Sequence, residues 1–139
     1  MATTKELVNE IKKADNINQF MEENISEFHA KRLSDYLMEM LIKYNLEKKQ
    51  VIAQAEINVT YGYQIFDGRK QPKRDKIIQI CFGFPLTVDE IQIALRCGGV
   101  SELYPRNKRD AYIMFASNQK YNLRKLNELL YQMKEEEIE

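Results

Sequence analysis

With 139 residues, 44% of them hydrophobic, the chain can bury a sizeable core within one domain that carries an added arm. Its 21 basic and 21 acidic side chains cancel, yet residues 46–110 hold 11 basic against 8 acidic groups, between an acidic N-terminal part and an acidic tail. An excess of three is a slight lean toward a polyanion partner and no more. No run approaches the roughly 18 apolar residues of a membrane span, and MATTKELVNEIKK lacks the apolar stretch of a secretory signal. Cys81 and Cys97 have neither CxxC spacing nor histidine companions. They read as buried thiols, so the expectation is a cytoplasmic protein without membrane, metal, cofactor or disulfide.

Glycine and proline number only five and three, and they fall between periodic segments, which predicts an all-α fold with short connections. A first helix is expected with Thr4 as its cap and Leu7, Val8 and Ile11 on one face. A second amphipathic piece carries Ile17, Phe20, Met21 and Ile25, and residues 1–25 together form an N-terminal helical arm. From about Ser26 to Tyr44, apolar residues at Phe28, Leu33, Tyr36, Leu37, Met40 and Leu41 predict a core-facing helix. Asn45-Leu46 breaks it, and Glu47 to Ala55 reads as a short helix with Val51, Ile52 and Ala55 inside. Asn58 is the cap of another short helix that ends near Phe66, with Asp67-Gly68 turning the chain and Pro72 delaying the next helix.

The remainder repeats itself. Residues 73–95 and 108–130 align without gaps at an offset of 35: Lys-Arg-Asp opens both, and Ile78/Ile113, Val88/Leu123, Ile91/Leu126 and Leu95/Leu130 match in character. Each copy predicts a helical hairpin, with Thr87 and Asn122 as caps of the second helices. Two copies fall short of a solenoid. The chain therefore divides into the arm, a central domain over residues 26–97 and a C-terminal hairpin over residues 98–139. Tyr112, Ile113, Phe115, Leu123, Leu126, Leu129, Leu130 and Met133 exceed what two helices bury alone. The hairpin is expected to pack on the central domain, on the arm or on a second copy.

Residues 45–72 carry the chemistry. Two short helices joined by a tight turn, the second starting polar, make the layout in which a helix enters the DNA major groove while its neighbour braces it. The segment resembles the phage-repressor (Xre-type) helix-turn-helix family. Leu46, Val51, Ala55, Ile57, Asn58, Ile65, Gly68, Arg69 and Pro72 fall on the family's positions without a gap. Thr87-Val88-Asp89-Glu90-Ile91 resembles the start of the fifth helix. The likeness covers about 60 residues. Tyr61 to Phe66 and Leu103 to Asp110 are further similar to a subgroup of regulators from low-GC Gram-positive bacteria. The resemblance implies a five-helix repressor-like domain, double-stranded DNA as partner and transcription regulation as the role. It departs from the family at Glu56, where the turn usually has glycine, at Gly62, where a buried aliphatic is usual, and at Phe66, usually polar.

Carried over by position, the resemblance puts Val59, Thr60, Tyr63 and Gln64 against bases and Lys48, Asn58, Arg69, Lys70 and Lys73 against phosphates. Gln64 would pair with adenine, and Val59 and Thr60 would touch a thymine methyl. Tyr61 and Tyr63 serve equally well as packing residues, and Asp67 and Asp75 carry the wrong sign for a DNA face. Arg106, Lys108 and Arg109 at the start of a helix either meet solvent, extend the DNA footprint or pair with the acidic tail. Regulators of this type read two half-sites as dimers, so a homodimer through the arm or the hairpin is expected. With one histidine, His29, and no phosphate-cradling loop, no catalytic activity is expected. The alternative is an adaptor that keeps the helix-turn-helix shape and binds protein, favoured by Gly62, the neutral total and the acidic neighbours.

Overall fold

The computed structural model describes residues 3–13, 16–17 and 31–139, which fall into two units, residues 1–31 and residues 32–139. Among the described residues the regular structure is entirely helical, in eight helices. No helix among them is long and apolar enough to cross a membrane.

In the first unit α1 spans Thr4–Lys13. Its cap is Thr3, one residue earlier than periodicity suggests. Thr3 Oγ1 accepts from the Glu6 N–H at 3.1 Å, and the Glu6 carboxylate accepts from the Thr3 N–H at 3.4 Å, a reciprocal box that Thr4 has no glutamate to complete. Val8, Ile11 and Ile17 are exposed. Phe20, Met21, Ile25, Phe28 and His29 lie outside the described residues.

The second unit begins with α2, Leu33–Tyr44, and not at Ser26. Lys31 and Arg32 are non-helical. Arg32 is extended (φ −73°, ψ 150°), and its Nη2 donates to the carbonyl of Gly68 at 3.1 Å, so the residue serves the Gly68 turn instead of lengthening α2. Asn45 ends α2 in the left-handed region, where asparagine is among the few tolerated side chains. Then follow α3 (Lys48–Gln54), α4 (Val59–Phe66), α5 (Arg74–Cys81) and α6 (Val88–Cys97). The last two are α7 (Lys108–Asn118) and α8 (Leu123–Gln132). The expected caps are present: the side chains of Asn58, Thr87 and Asn122 each accept the backbone N–H three residues on.

Helix α4 packs on α2 and α3, α6 packs on α2 and α5, and α7 packs on α6 and α8. One continuous apolar core results. Leu37, Ile52, Ile65, Ile77, Ile91, Ile113, Leu126 and Leu130 are all fully buried in it, each stabilising the fold by roughly 1.5–3 kcal/mol. Residues 98–139 belong to the same unit as residues 32–97, and most of the hairpin's apolar face is buried there. Phe115 and Met133 remain exposed. Cys81 is buried, which raises its pKa, whereas Cys97 is only half-buried.

The two Lys-Arg-Asp motifs of the repeat exchange partners. Arg74 donates to both oxygens of Asp110 at 3.1 and 2.8 Å, while Arg109 donates to both oxygens of Asp75 at 2.9 Å. Such two-pronged pairs are geometrically specific as well as strong. Arg74 also caps the Ser101 and Glu102 carbonyls, and Asp110 accepts the Tyr104 N–H. Arg109 reaches the acidic tail through the carbonyl of Glu136, not through a carboxylate. The tail is further fixed by Ile138, fully buried, whose backbone N–H and C=O both bond the Asn127 side chain.

Glu90 ties α2 to α6. Its carboxylate accepts from Lys43 Nζ at 2.6 Å, from the Thr87 N–H at 2.9 Å and from the Tyr44 hydroxyl. Burial pushes this carboxyl up, but the bonds from Lys43, Thr87 and Tyr44 outweigh it and hold the pKa at about 2. Burial and the bond to Glu90 push Tyr44 up to about 12. A carboxyl that ionises more readily when folded adds stability above its unfolded pKa and loses it as the pH falls toward the folded one. Glu90→Gln should therefore cost about 1–3 kcal/mol in urea unfolding at pH 7. The gap to the unaltered protein should shrink between pH about 4.5 and about 2; an equal gap at both ends would contradict the assignment.

Candidate nucleic-acid interface

Residues 55–58 join α3 to α4. Glu56, where the resemblance calls for glycine, takes the left-handed conformation with φ 52°, which is the unusual backbone its position demands. The Ala55 and Glu56 carbonyls at this turn both accept from Nε2 of Gln79 on α5, at 2.9 and 3.3 Å. Lys76 Nζ donates to the other end of the same carboxamide at 3.0 Å. Gln79 is itself buried, so removing its amide would leave two carbonyls without that donor, at roughly 1–3 kcal/mol.

Past the turn, Asn58 Oδ1 accepts from the Tyr61 N–H at 3.0 Å, which leaves Nδ2 as the group that can donate outward. Along α4, Gly62, Ile65 and Phe66 are buried. Val59, Thr60 and Tyr63 are exposed, Val59 to 62% and Tyr63 to 37%. Gln64 is half-buried at the border of that stripe, and Tyr61 packs partly buried against the core. Of the two tyrosines, Tyr63 is the one that faces outward. Phe66 is buried and stacks at a tilt on Phe84, which accounts for an aromatic where a polar residue is usual.

Gly62 has a packing reason. A Cβ there would lie 2.7 Å from Ile52 Cγ1 and within 3.0 Å of two further Ile52 atoms, so α4 sits directly on the Ile52 side chain. After α4, Gly68 takes φ 79° with Arg32 against it, a second close approach.

The five residues expected to meet phosphates are gathered around the two ends of this pair of helices. Asn58 opens α4. Lys48 opens α3; Arg69, Lys70 and Lys73 line the segment after α4, all three exposed. Two of these cations are already engaged: Asp67 holds Arg69 at 2.7 Å and Lys48 at 3.5 Å. The hydrogen bond from Arg69 first, and the charges of Lys48 and Arg69 with it, keep the Asp67 carboxyl below its usual range. Asp75 is taken by Arg109, and Glu56 lies 3.9 Å from Arg124. Asp67, Asp75 and Glu56 thus each face a cation of the same chain. Between α3 and α4 runs a groove of about 660 Å³, whose lining includes Ile52, Ala53, Ile57, Val59 and Tyr63.

Two contributors escape a reading of residues by type. Arg32 is too far along the chain from Gly68 for any local pattern to join them. Gln79 left a trace: it is the single polar side chain in Ile77-Ile78-Gln79-Ile80-Cys81, and a buried amide must find partners. Compared with protein-family models, with curated proteins and with solved structures, the chain matches none.

Gly62→Ala gains about 1 kcal/mol of helix propensity and loses about 1–3 kcal/mol to overpacking, so the variant should unfold at lower urea. Ile52→Ala removes all three clashing atoms. The double variant should be less destabilised than the two single changes added together; simple additivity would show that α4 does not rest on Ile52.

Proposed function

We propose that α2 to α6 form a five-helix, repressor-like helix-turn-helix domain and that the protein is a sequence-specific DNA-binding transcriptional regulator, non-enzymatic, with α4 as its recognition helix in the major groove. The observation that carries the reading is the division of α4. Its buried face is locked to Ile52 through Gly62, and its opposite face offers Val59, Thr60 and Tyr63, with Gln64 beside them. A short rigid helix of this kind, seated on a bracing helix and flanked by cations, has what base reading requires. Val59 and Thr60 would touch a thymine methyl, Gln64 would pair with adenine, and Lys48, Asn58, Arg69, Lys70 and Lys73 would hold phosphates. The protein would act as a homodimer on two half-sites, through the arm, where Val8 and Ile11 are exposed, or through the hairpin, where Phe115 and Tyr131 are exposed.

One observation favours the adaptor reading. The groove between α3 and α4 is apolar along much of its lining, and Val59 and Tyr63 border it. A partner helix laid there would use the same stripe without touching a phosphate.

Selection from a random duplex library at low salt should return a defined sequence, with affinity falling steeply as salt rises. Arg69→Ala should weaken binding to all sequences and flatten the salt dependence by about one unit, whereas Gln64→Ala should relax preference at one base position, by roughly 1–3 kcal/mol. An empty selection, together with a polypeptide retained on the immobilised protein, would establish the adaptor instead. Sedimentation at tens of micromolar should show a dimer; a strict monomer would remove that part of the proposal.

A further inference from the structure

Resting on the DNA reading above, we infer that Asp67 is a built-in phosphate mimic that occupies the backbone-binding cations and lowers the affinity for every duplex alike. Asp67 closes α4 as its C-cap residue. A carboxylate there faces the negative end of the helix dipole, so the helix itself gains nothing from an acid at this position. Its two oxygens are instead divided between cations from different elements: Oδ2 lies 2.7 Å from Arg69 Nη2 in the segment after α4, and Oδ1 lies 3.5 Å from Lys48 Nζ at the start of α3. Those are two of the five groups assigned to phosphates, gathered on one anion before any DNA arrives. The Arg69 side chain is 70% exposed and that of Asp67 34%, so the cluster stands open to an incoming phosphate.

A phosphate oxygen and a carboxylate oxygen ask the same of a guanidinium. To bind Arg69 or Lys48, the backbone must either displace Asp67 or sit beside its negative charge. That cost falls on the electrostatic part of binding, which selected and random sequences share. It does not fall on the base contacts of Val59, Thr60, Tyr63 and Gln64, which specify. Asp67 should thus set how tightly the protein holds DNA and leave unchanged which sequence it prefers.

Asp67→Asn keeps the shape and removes the charge; Asp67→Glu keeps the charge. Both are titrated against the selected duplex and a random duplex over a range of salt, with melting curves to show that each is folded. The asparagine variant should bind both duplexes about three- to tenfold more tightly, the scale of one charge interaction near a surface. Its salt dependence should steepen by roughly one unit of slope. The ratio of the two affinities should stay the same. The glutamate variant should keep the parent's salt slope, which a merely structural role for Asp67 would not ensure. If the parent binds DNA and the asparagine variant matches it in affinity and slope, the assignment of Asp67 is overturned and the DNA reading stands. If neither protein binds any duplex at low salt, the DNA reading itself falls, and the inference with it.

Discussion

The carboxamide of Gln79 holds α3, α4 and α5 in one arrangement. A turn with a left-handed residue at its centre directs the buried Ala55 carbonyl and the part-buried Glu56 carbonyl toward α5, and buried carbonyls without donors are costly. Gln79 supplies one N–H group pair to both, and Lys76 fixes the carboxamide from the other side. Were the amide absent, Glu56 could relax out of its left-handed conformation, and the direction in which Asn58 launches α4 would follow. The exposed stripe of α4 has a defined orientation because a side chain on the helix after next secures the turn.

Local features were legible because local physics decides them. Asn58, Thr87 and Asn122 are residues of the capping type placed just before amphipathic runs, and their side chains accept the N–H three residues on. Glu56 in a tight turn and Gly62 in a helix were both readable as departures that need a backbone or packing explanation. Boundaries set by distant partners were not readable. Helix α2 starts at Leu33 because Arg32 reaches Gly68, and α1 starts after Thr3 because Glu6 completes its box. The residues proposed for bases and phosphates follow from place along the chain. Their exposure follows from that place, since a helix face is periodic; their partners do not. Nothing in the order Lys48 … Asp67 … Arg69 announces that one carboxylate will hold both cations.

Charge in this unit is arranged by pairing more than by sum. Asp75, Asp110, Glu56 and Asp67 each meet an arginine, and Glu90 meets Lys43. Lys70 and Lys73 stay exposed in the segment after α4. A balanced total is therefore compatible with cations left exposed in one segment.

The exchanged Arg–Asp pairs carry a consequence for how the unit comes apart. Arg74–Asp110 and Arg109–Asp75 span 36 and 34 residues, so they close almost the same loop. Most of the entropy of ordering that loop is lost when the first pair forms, and the second adds its bonds at little further cost. The reverse holds on opening: while one pair persists, the other is held near its partner and re-forms. The α5–α6 and α7–α8 hairpins should then open as a single cooperative block, with their amide protons exchanging together and not hairpin by hairpin.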